Sequence, residues 1–156
     1  MSWSVEVESS VSAGRLFKAV VLDWHTVGPK AIPEIIKSAS VVHVDGGVGS
    51  VRQINFTPVG PFPYAKERLD FLDANNFEAK QSLIEGGGLG KKLESASSHI
   101  KFIPTNSGGC ICKVTATYKP LPGCNSTEEE TKAKEGFTKI VKASEAYLLA
   151  NPTVCA

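Results

Sequence analysis

With 156 residues, and 17 Lys and Arg against 16 Asp and Glu, the chain has the length of one domain with its own core and a net charge of only +1. That balance gives no basic stripe of the kind nucleic-acid-binding surfaces carry, and no apolar run approaches the roughly 20 residues needed to span a bilayer. The opening residues, Met1 to Glu6, have neither the basic nor the apolar segment of a secretory leader. The expectation is a cytoplasmic monomer forming a single domain over residues 1–156, with no membrane association.

In chain order, residues 3–11 alternate Trp/Val/Val with Ser/Glu/Glu and predict a first strand. Ser12 precedes Leu16, Phe17, Val20 and Val21, spaced for a short helix that Gly28-Pro29 should break. Ala31 to Lys37 is read as a second short helix, interrupted by Pro33. Strands then dominate to residue 119, separated by turn signals at Asp45–Ser50, Pro58–Pro63, Ala74-Asn75, Gly86–Gly90 and Thr105–Gly109. After Pro120-Leu121-Pro122-Gly123 the period becomes helical, with Phe137, Ile140, Val141, Ser144, Tyr147 and Leu148 on one face. Ser126-Thr127-Glu128-Glu129 is a capping-box start with acids at the positive end of the helix dipole, and Asn151-Pro152 is the stop. A helix of about 24 residues would run roughly 36 Å. The fold class is α+β: a seven-stranded curved antiparallel sheet gripping a long C-terminal helix, with two short helices after strand 1 and an internal cavity.

The cysteines make no disulfide framework. Cys110 and Cys112 share one face of a predicted strand, Cys124 and Cys155 fall in loop and tail, and a domain of this size needs no staples. Cys110-Ile111-Cys112 lacks the second ligand pair of a zinc site, so no metal and no cofactor is assigned.

Strand faces point to a site. Glu67 lies on the face of Ala65, Leu69 and Phe71; Gln81 on that of Phe77, Ala79 and Leu83; Arg52 on that of Ile54 and Phe56. Burying three unpaired polar groups would cost several kcal/mol each. They either pair with one another, line a wet pocket, or are rotated outward by a bulge or strand end. Apolar walls with a few inward polar groups are the usual make-up of a small-molecule site. Phe56, Leu69, Phe71, Leu83 and Phe102 from the sheet, and Phe137, Ile140 and Val141 from the helix, are the candidate walls.

Asp45-Gly46-Gly47-Val48-Gly49-Ser50 has the look of a nucleotide loop, but a P-loop needs Lys-Ser or Lys-Thr opening a helix. Here Val51 to Phe56 alternates as a strand, so the glycines serve a tight turn. That loop resembles the glycine-rich loop of the plant pathogenesis-related class 10 proteins, the family of the major birch pollen allergen. Gly14-Arg15-Leu16-Phe17-Lys18-Ala19, Lys66-Glu67-Arg68-Leu69-Asp70, Ile84-Glu85-Gly86-Gly87 and Glu145-Ala146-Tyr147-Leu148-Leu149 follow in the order and spacing of that family. Leu22-Asp23-Trp24-His25 and Gly86-Gly87-Gly88 look most like its monocot branch, and Val48 departs from a frequent proline.

The resemblance implies a defence-related protein that encloses a cytokinin, flavonoid, steroid or fatty acid, with Glu67 as the polar anchor. Gln81 stands where pollen allergens commonly have tyrosine, so ligand preference does not carry over. Two enzyme readings compete. Relatives catalysing Pictet–Spengler condensation use a lysine and a tyrosine at the positions of Ala79 and Ala65, so the chief acid–base candidate is missing. Ribonuclease activity, with RNA as the only nucleic-acid partner considered, would fall to Glu94, Glu145 and Tyr147. Glu145 and Tyr147, two apart on a helix, do not face each other. Glu145 is expected instead to hydrogen-bond to the backbone of the glycine loop, with Tyr147 packed beneath the sheet. His25, His43, His99, Trp3, Trp24 and Lys91-Lys92 are read as structural or solvated residues.

Overall fold

The computed structural model describes residues 1–43, 47–124 and 127–156. Seven strands form one antiparallel sheet: β1 (Ser2–Ser9), β2 (Ile36–His43), β3 (Val51–Phe56), β4 (Tyr64–Asp73), β5 (Glu78–Gly86), β6 (Leu93–Pro104) and β7 (Cys110–Pro120). Their spatial order is β1-β7-β6-β5-β4-β3-β2, so β1 leaves its sequence neighbours to pair with β7 and put β2 at the far edge. The alternation of the sequence decides which face is inner. Val7 and Ser9 of β1, and Cys110, Cys112 and Val114 of β7, are buried at every second position. Ala65 and Leu69 of β4 are buried on the face they share with half-buried Glu67.

Between β1 and β2 the chain makes α1 (Ala13–Phe17), which continues as a π-turn over Lys18–Leu22, and then α2 (Trp24–Ala31). This corrects the sequence reading twice. The break falls at Asp23, whose amide bonds back five residues to the Lys18 carbonyl at 2.7 Å, and not at Gly28-Pro29. Pro29 sits inside α2, and Ile36–His43, whose start was assigned to a helix, is β2. Burial overrides the breaker: Trp24, Val27 and Gly28 pack inward, and the bare Gly28 Cα fits against the Trp24 ring, where a Cβ would come within 3.0 Å of Cε2.

The long helix α3 spans Thr127–Ala150. The expected cap Ser126 lies outside the described residues, but Glu128, Glu129 and Glu130 occupy the first turn as anticipated. Its buried side chains, Val141, Ser144 and Leu148, all belong to the C-terminal half. There Phe17 and Phe102 meet edge-on with ring centres 5.9 Å apart, at the centre of the core. Among the described residues no helix is long and apolar enough to cross a membrane.

Arg15 fastens that end of the helix. Its Nη2 donates to the carbonyls of Leu148 and Asn151 at 2.9 and 2.8 Å, and its Nε to Val154 at 2.9 Å. A helix C-terminus otherwise leaves such carbonyls without intrahelical donors, and a cation there also opposes the negative end of the dipole. Replacing Arg15 by Met, which keeps the apolar stem, should lower unfolding stability by about 2–3 kcal/mol. Urea unfolding would show this as a lower midpoint at unchanged slope. No shift in midpoint would mean that water replaces the guanidinium.

Candidate functional site

The N-terminal half of α3, from Thr127 to Lys139, has no buried side chain. It stands off the sheet, and beneath it lies a cavity of about 560 Å³, within the ~300–1,000 Å³ of small-molecule sites. The sheet supplies Trp3, Leu83, Ala96 and Ala116 to its wall, the β3–β4 connection supplies Phe62, and α3 supplies Glu129, Glu130 and Ala133. Gly87 and Gly88, with φ of 58° and 96°, carry the chain around the hairpin end. Their missing side chains keep space open: a Cβ on Gly88 would stand 3.0 Å from the Phe62 ring.

Glu67 and Gln81 line this cavity, and both also line a second chamber of about 20 Å³ with Arg52, Leu69, Ser50 and His25. That second space is the size of one water molecule. Glu67 lies deep in the protein yet is not fully buried, because its remaining accessible surface faces the cavity. Arg52 sits directly across the β3–β4 ladder from Glu67, but its Nη1 donates to the Val21 carbonyl at 2.6 Å rather than to the carboxylate. Among the described residues, no hydrogen bond or ion pair reaches the Glu67 carboxylate. Burial raises the Glu67 pKa, opposed by the charge of Arg52. Burial likewise lowers that of Arg52, opposed by Glu67 and Asp23. In both cases desolvation outweighs attraction.

At the outer end the cavity is spanned by polar contacts. Lys92 Nζ, at the β5–β6 hairpin, meets Glu129 Oε1 at 3.1 Å. The Tyr118 hydroxyl donates to Glu130, a bond that pushes the phenol pKa up to about 12.

Several expected wall residues lie elsewhere. Phe71 is 39 % exposed, with Lys80 Nζ 5.5 Å from its ring centre, because Asp70 is an extra residue in β4 opposite β5. The bulge turns Phe71 outward and brings Leu72 against the core in its place. Phe102 and Val141 are fully buried core residues, and Phe56, Phe137 and Ile140 pack against that core rather than lining the cavity. The structure therefore moves the helical wall from Phe137, Ile140 and Val141 to the first turns of α3. Trp3 and Lys92, read as packing and solvated, belong to the site. So does His25, whose Nδ1 is buried with no protein partner among the described residues. Inward alternation from β1 could have flagged Trp3; nothing local marks Lys92 or His25.

Of the glycine-rich loop, Asp45 and Gly46 lie outside the described residues. Gly47 to Ser50 form a turn in which Gly49 has φ of 92° and donates to the Leu69 carbonyl at 2.7 Å. Val48 is exposed, and Ser50 is buried beside Arg52.

The ribonuclease candidates do not converge. Glu94 pairs with Lys119 at 3.2 Å, beyond the Ser2–Thr117 end of the β1–β7 ladder. Glu145 accepts from Ser9 Oγ at 2.6 Å and the Ser10 amide at 3.0 Å, at the opposite end. Seven steps of β1 separate those ends, roughly 23 Å. Among the described residues Glu145 braces the β1–α1 junction, and part of the glycine loop it was expected to contact lies outside them. Burial would raise its pKa, but the hydrogen bonds from Ser9 and Ser10 hold it below the usual carboxylate range. Tyr147 is half-buried against the core.

A single antiparallel sheet curved around one long helix, with a half-open pocket between them, defines a helix-grip fold. Comparison with known proteins places the chain within that class. It belongs to the pathogenesis-related protein Bet v 1 family, whose model matches residues 1–151. It is 58 % identical to pathogenesis-related protein 1 of Asparagus officinalis over 153 residues, covering 97 % of this chain and 96 % of the relative. The probable intracellular pathogenesis-related protein T1 of Catharanthus roseus is 40 % identical, over 97 % of each chain. Among solved structures, that of Ara h 8.0201 superposes with a TM-score of 0.84 at 29 % identity, covering 97 % of this chain and 99 % of the other. Norcoclaurine synthase from Thalictrum flavum shares the fold, with a TM-score of 0.79 at 21 % identity over 96 % of this chain and 86 % of the other.

Because burial raises the Glu67 pKa, the folded state gives up this proton at a higher pH than the unfolded state, which releases it near about pH 4.3. Stability contributed by this residue therefore falls as pH rises from that value through the raised folded-state pKa. Glu67→Gln should melt at higher temperature than the parent at pH 7, and the gain should disappear below about pH 4. A lower melting temperature at pH 7 would show that attraction to Arg52 outweighs burial.

Proposed function

We propose that this protein is a defence-related, intracellular small-molecule carrier that encloses an amphipathic ligand beneath the first half of α3. The observation that carries the reading is Glu67, an unanswered carboxylate aimed into an otherwise largely apolar cavity of about 560 Å³. Its position selects a ligand whose inner end donates a hydrogen bond, as the N–H of a cytokinin or the hydroxyl of a flavonoid or steroid does. Gln81 offers both a donor and an acceptor beside it. Leu83, Phe62 and Trp3 take the apolar body. A fatty acid fits only with its carboxylate outward, because two carboxylates at the inner end would repel. The defence role is supported by the family and by the naming of the Asparagus and Catharanthus relatives as pathogenesis-related. The Catharanthus relative, described as intracellular, supports the compartment.

Displacement of the fluorescent probe ANS by a panel of cytokinins, flavonoids, steroids and fatty acids tests the reading. Saturable probe uptake is expected, with donor-headed ligands displacing it at micromolar concentration. Glu67→Gln should weaken those ligands about tenfold, which is ~1.4 kcal/mol, while leaving ANS uptake in place. Ala116→Trp, which fills space at the cavity wall, should abolish uptake without unfolding the sheet. Equal uptake by the parent and Ala116→Trp would place the probe outside the cavity and sink the proposal.

A further inference from the structure

The four thiols are chemically unequal. Cys110 and Cys112 are fully buried, and burial pushes Cys110 up to about 11 and Cys112 further still. Cys155 is half-buried at Asp23 Oδ2, 3.8 Å away, and burial together with that carboxylate raises its pKa. Such thiols are poor nucleophiles, because the thiolate is the reactive form. Cys124 stands in a different place. It ends the turn after β7, where its amide donates to the Leu121 carbonyl at 3.0 Å, and its Sγ lies 3.8 Å from the Lys91 carbonyl. Its half-buried side chain lines the outer end of the cavity, on a rim it shares with Lys92, Lys132, Glu129 and Glu130.

The cavity thus has a free thiol at its outer end and the unanswered Glu67 carboxylate at its inner end. A molecule that donates to Glu67 must lay its body along Leu83 and Phe62 and carry its far end toward the rim. We propose that the cavity captures amphipathic α,β-unsaturated carbonyl compounds covalently, the Cys124 sulfur bonding to their β-carbon. The proposal rests on the reading of the cavity as a small-molecule site and adds a chemistry to it. The thiol releases its proton to solvent, the S–C bond forms, and the C=C π pair moves to give an enolate. The α-carbon then takes a proton from water. The reaction is a net addition, with no leaving group and no oxidant. Selectivity comes from holding the two reacting atoms together in the pocket.

The test compares two electrophiles on the intact protein at pH 8, followed by mass spectrometry and peptide mapping. 9-Hydroxy-2-nonenal carries its hydroxyl at the far end of an apolar chain from the reacting β-carbon; acrylamide is small and has no reason to use the cavity. Relative to free glutathione, Cys124 should react at least tenfold faster with the enal, and no such preference should appear with acrylamide. Saturating ANS should slow the enal and leave acrylamide unchanged. Cys124→Ser should lose the adduct while keeping the circular dichroism spectrum of the parent. Ala116→Trp should lower enal labelling alone, an arm that decides the matter even if ANS does not bind. Labelling of Cys124 at equal rates by both reagents, or enal adducts chiefly on Cys155, would overturn the proposal. Failed ANS uptake with retained cavity-dependent labelling would overturn only the probe experiment of the carrier reading.

Discussion

Everything at this site depends on α3 being packed on the core through its C-terminal half, while its first turns meet the sheet through polar contacts at the rim. Its C-terminal half buries Val141, Ser144 and Leu148 and is fixed by three bonds from Arg15. Lys142 and Glu145 add contacts to the Glu8 carbonyl and to Ser9 and Ser10. Its first turns, from Thr127 to Gly136, are rich in Lys and Glu and carry no large apolar side chain to draw them onto the sheet. Packing on the core begins at Phe137. Curvature of the sheet leaves space below it, and side-chain contacts at the rim, Lys92 with Glu129 and Tyr118 with Glu130, reach across. Exposed pairs of the Lys92–Glu129 kind are worth at most about 1 kcal/mol. The core stabilises one end of the helix, and the other end is free to act as the roof of a container.

The interior electrostatics point the same way. Desolvation dominates at both Arg52 and Glu67, so neither charge is a net contributor to folding. Well-packed apolar residues at the same places would fold at least as well. Residues that cost stability and persist on a buried face mark functional places more often than structural ones. The two groups are not equivalent. Arg52 is satisfied by the Val21 carbonyl and belongs to the water-sized chamber; Glu67 borders both spaces and has its accepting capacity unused.

The sheet, the long helix and the inward set Arg52, Glu67 and Gln81 were legible in the sequence because period-2 alternation determines which side of a strand faces in. What was not legible came from non-local geometry. One inserted residue, Asp70, reverses the side chains beyond it, so Phe71 left the interior and Leu72 entered. Alternation alone carries no signal for that slip. The apolar spacing of Phe137, Ile140 and Val141 correctly marks a buried face, but spacing cannot distinguish a helix face on a solid core from one over a void. The two short helices were misplaced because a proline was weighed above the burial of Trp24 and Val27. Trp3 and Lys92, although 89 positions apart, share a cavity wall that only the closing of β1 onto β7 creates.

The distribution of reactive groups argues finally about what kind of chemistry the scaffold can host. Acid–base work on an exposed phosphodiester needs two groups at one point, and the sheet keeps Glu94 and Glu145 at opposite ends of the β1–β7 ladder. Condensation chemistry at the inner face would want a base where Ala65 and Ala79 are packed tight against their neighbours. What remains inside is one carboxylate without a partner and, at the rim, one thiol. Glu67 shares the water-sized chamber with His25, whose Nδ1 has no protein partner among the described residues, and Cys124 shares the rim with Lys92, Glu129 and Glu130. A carboxylate that orients and a thiol that bonds at the two ends of one pocket suit the proposed retention of an amphipathic ligand.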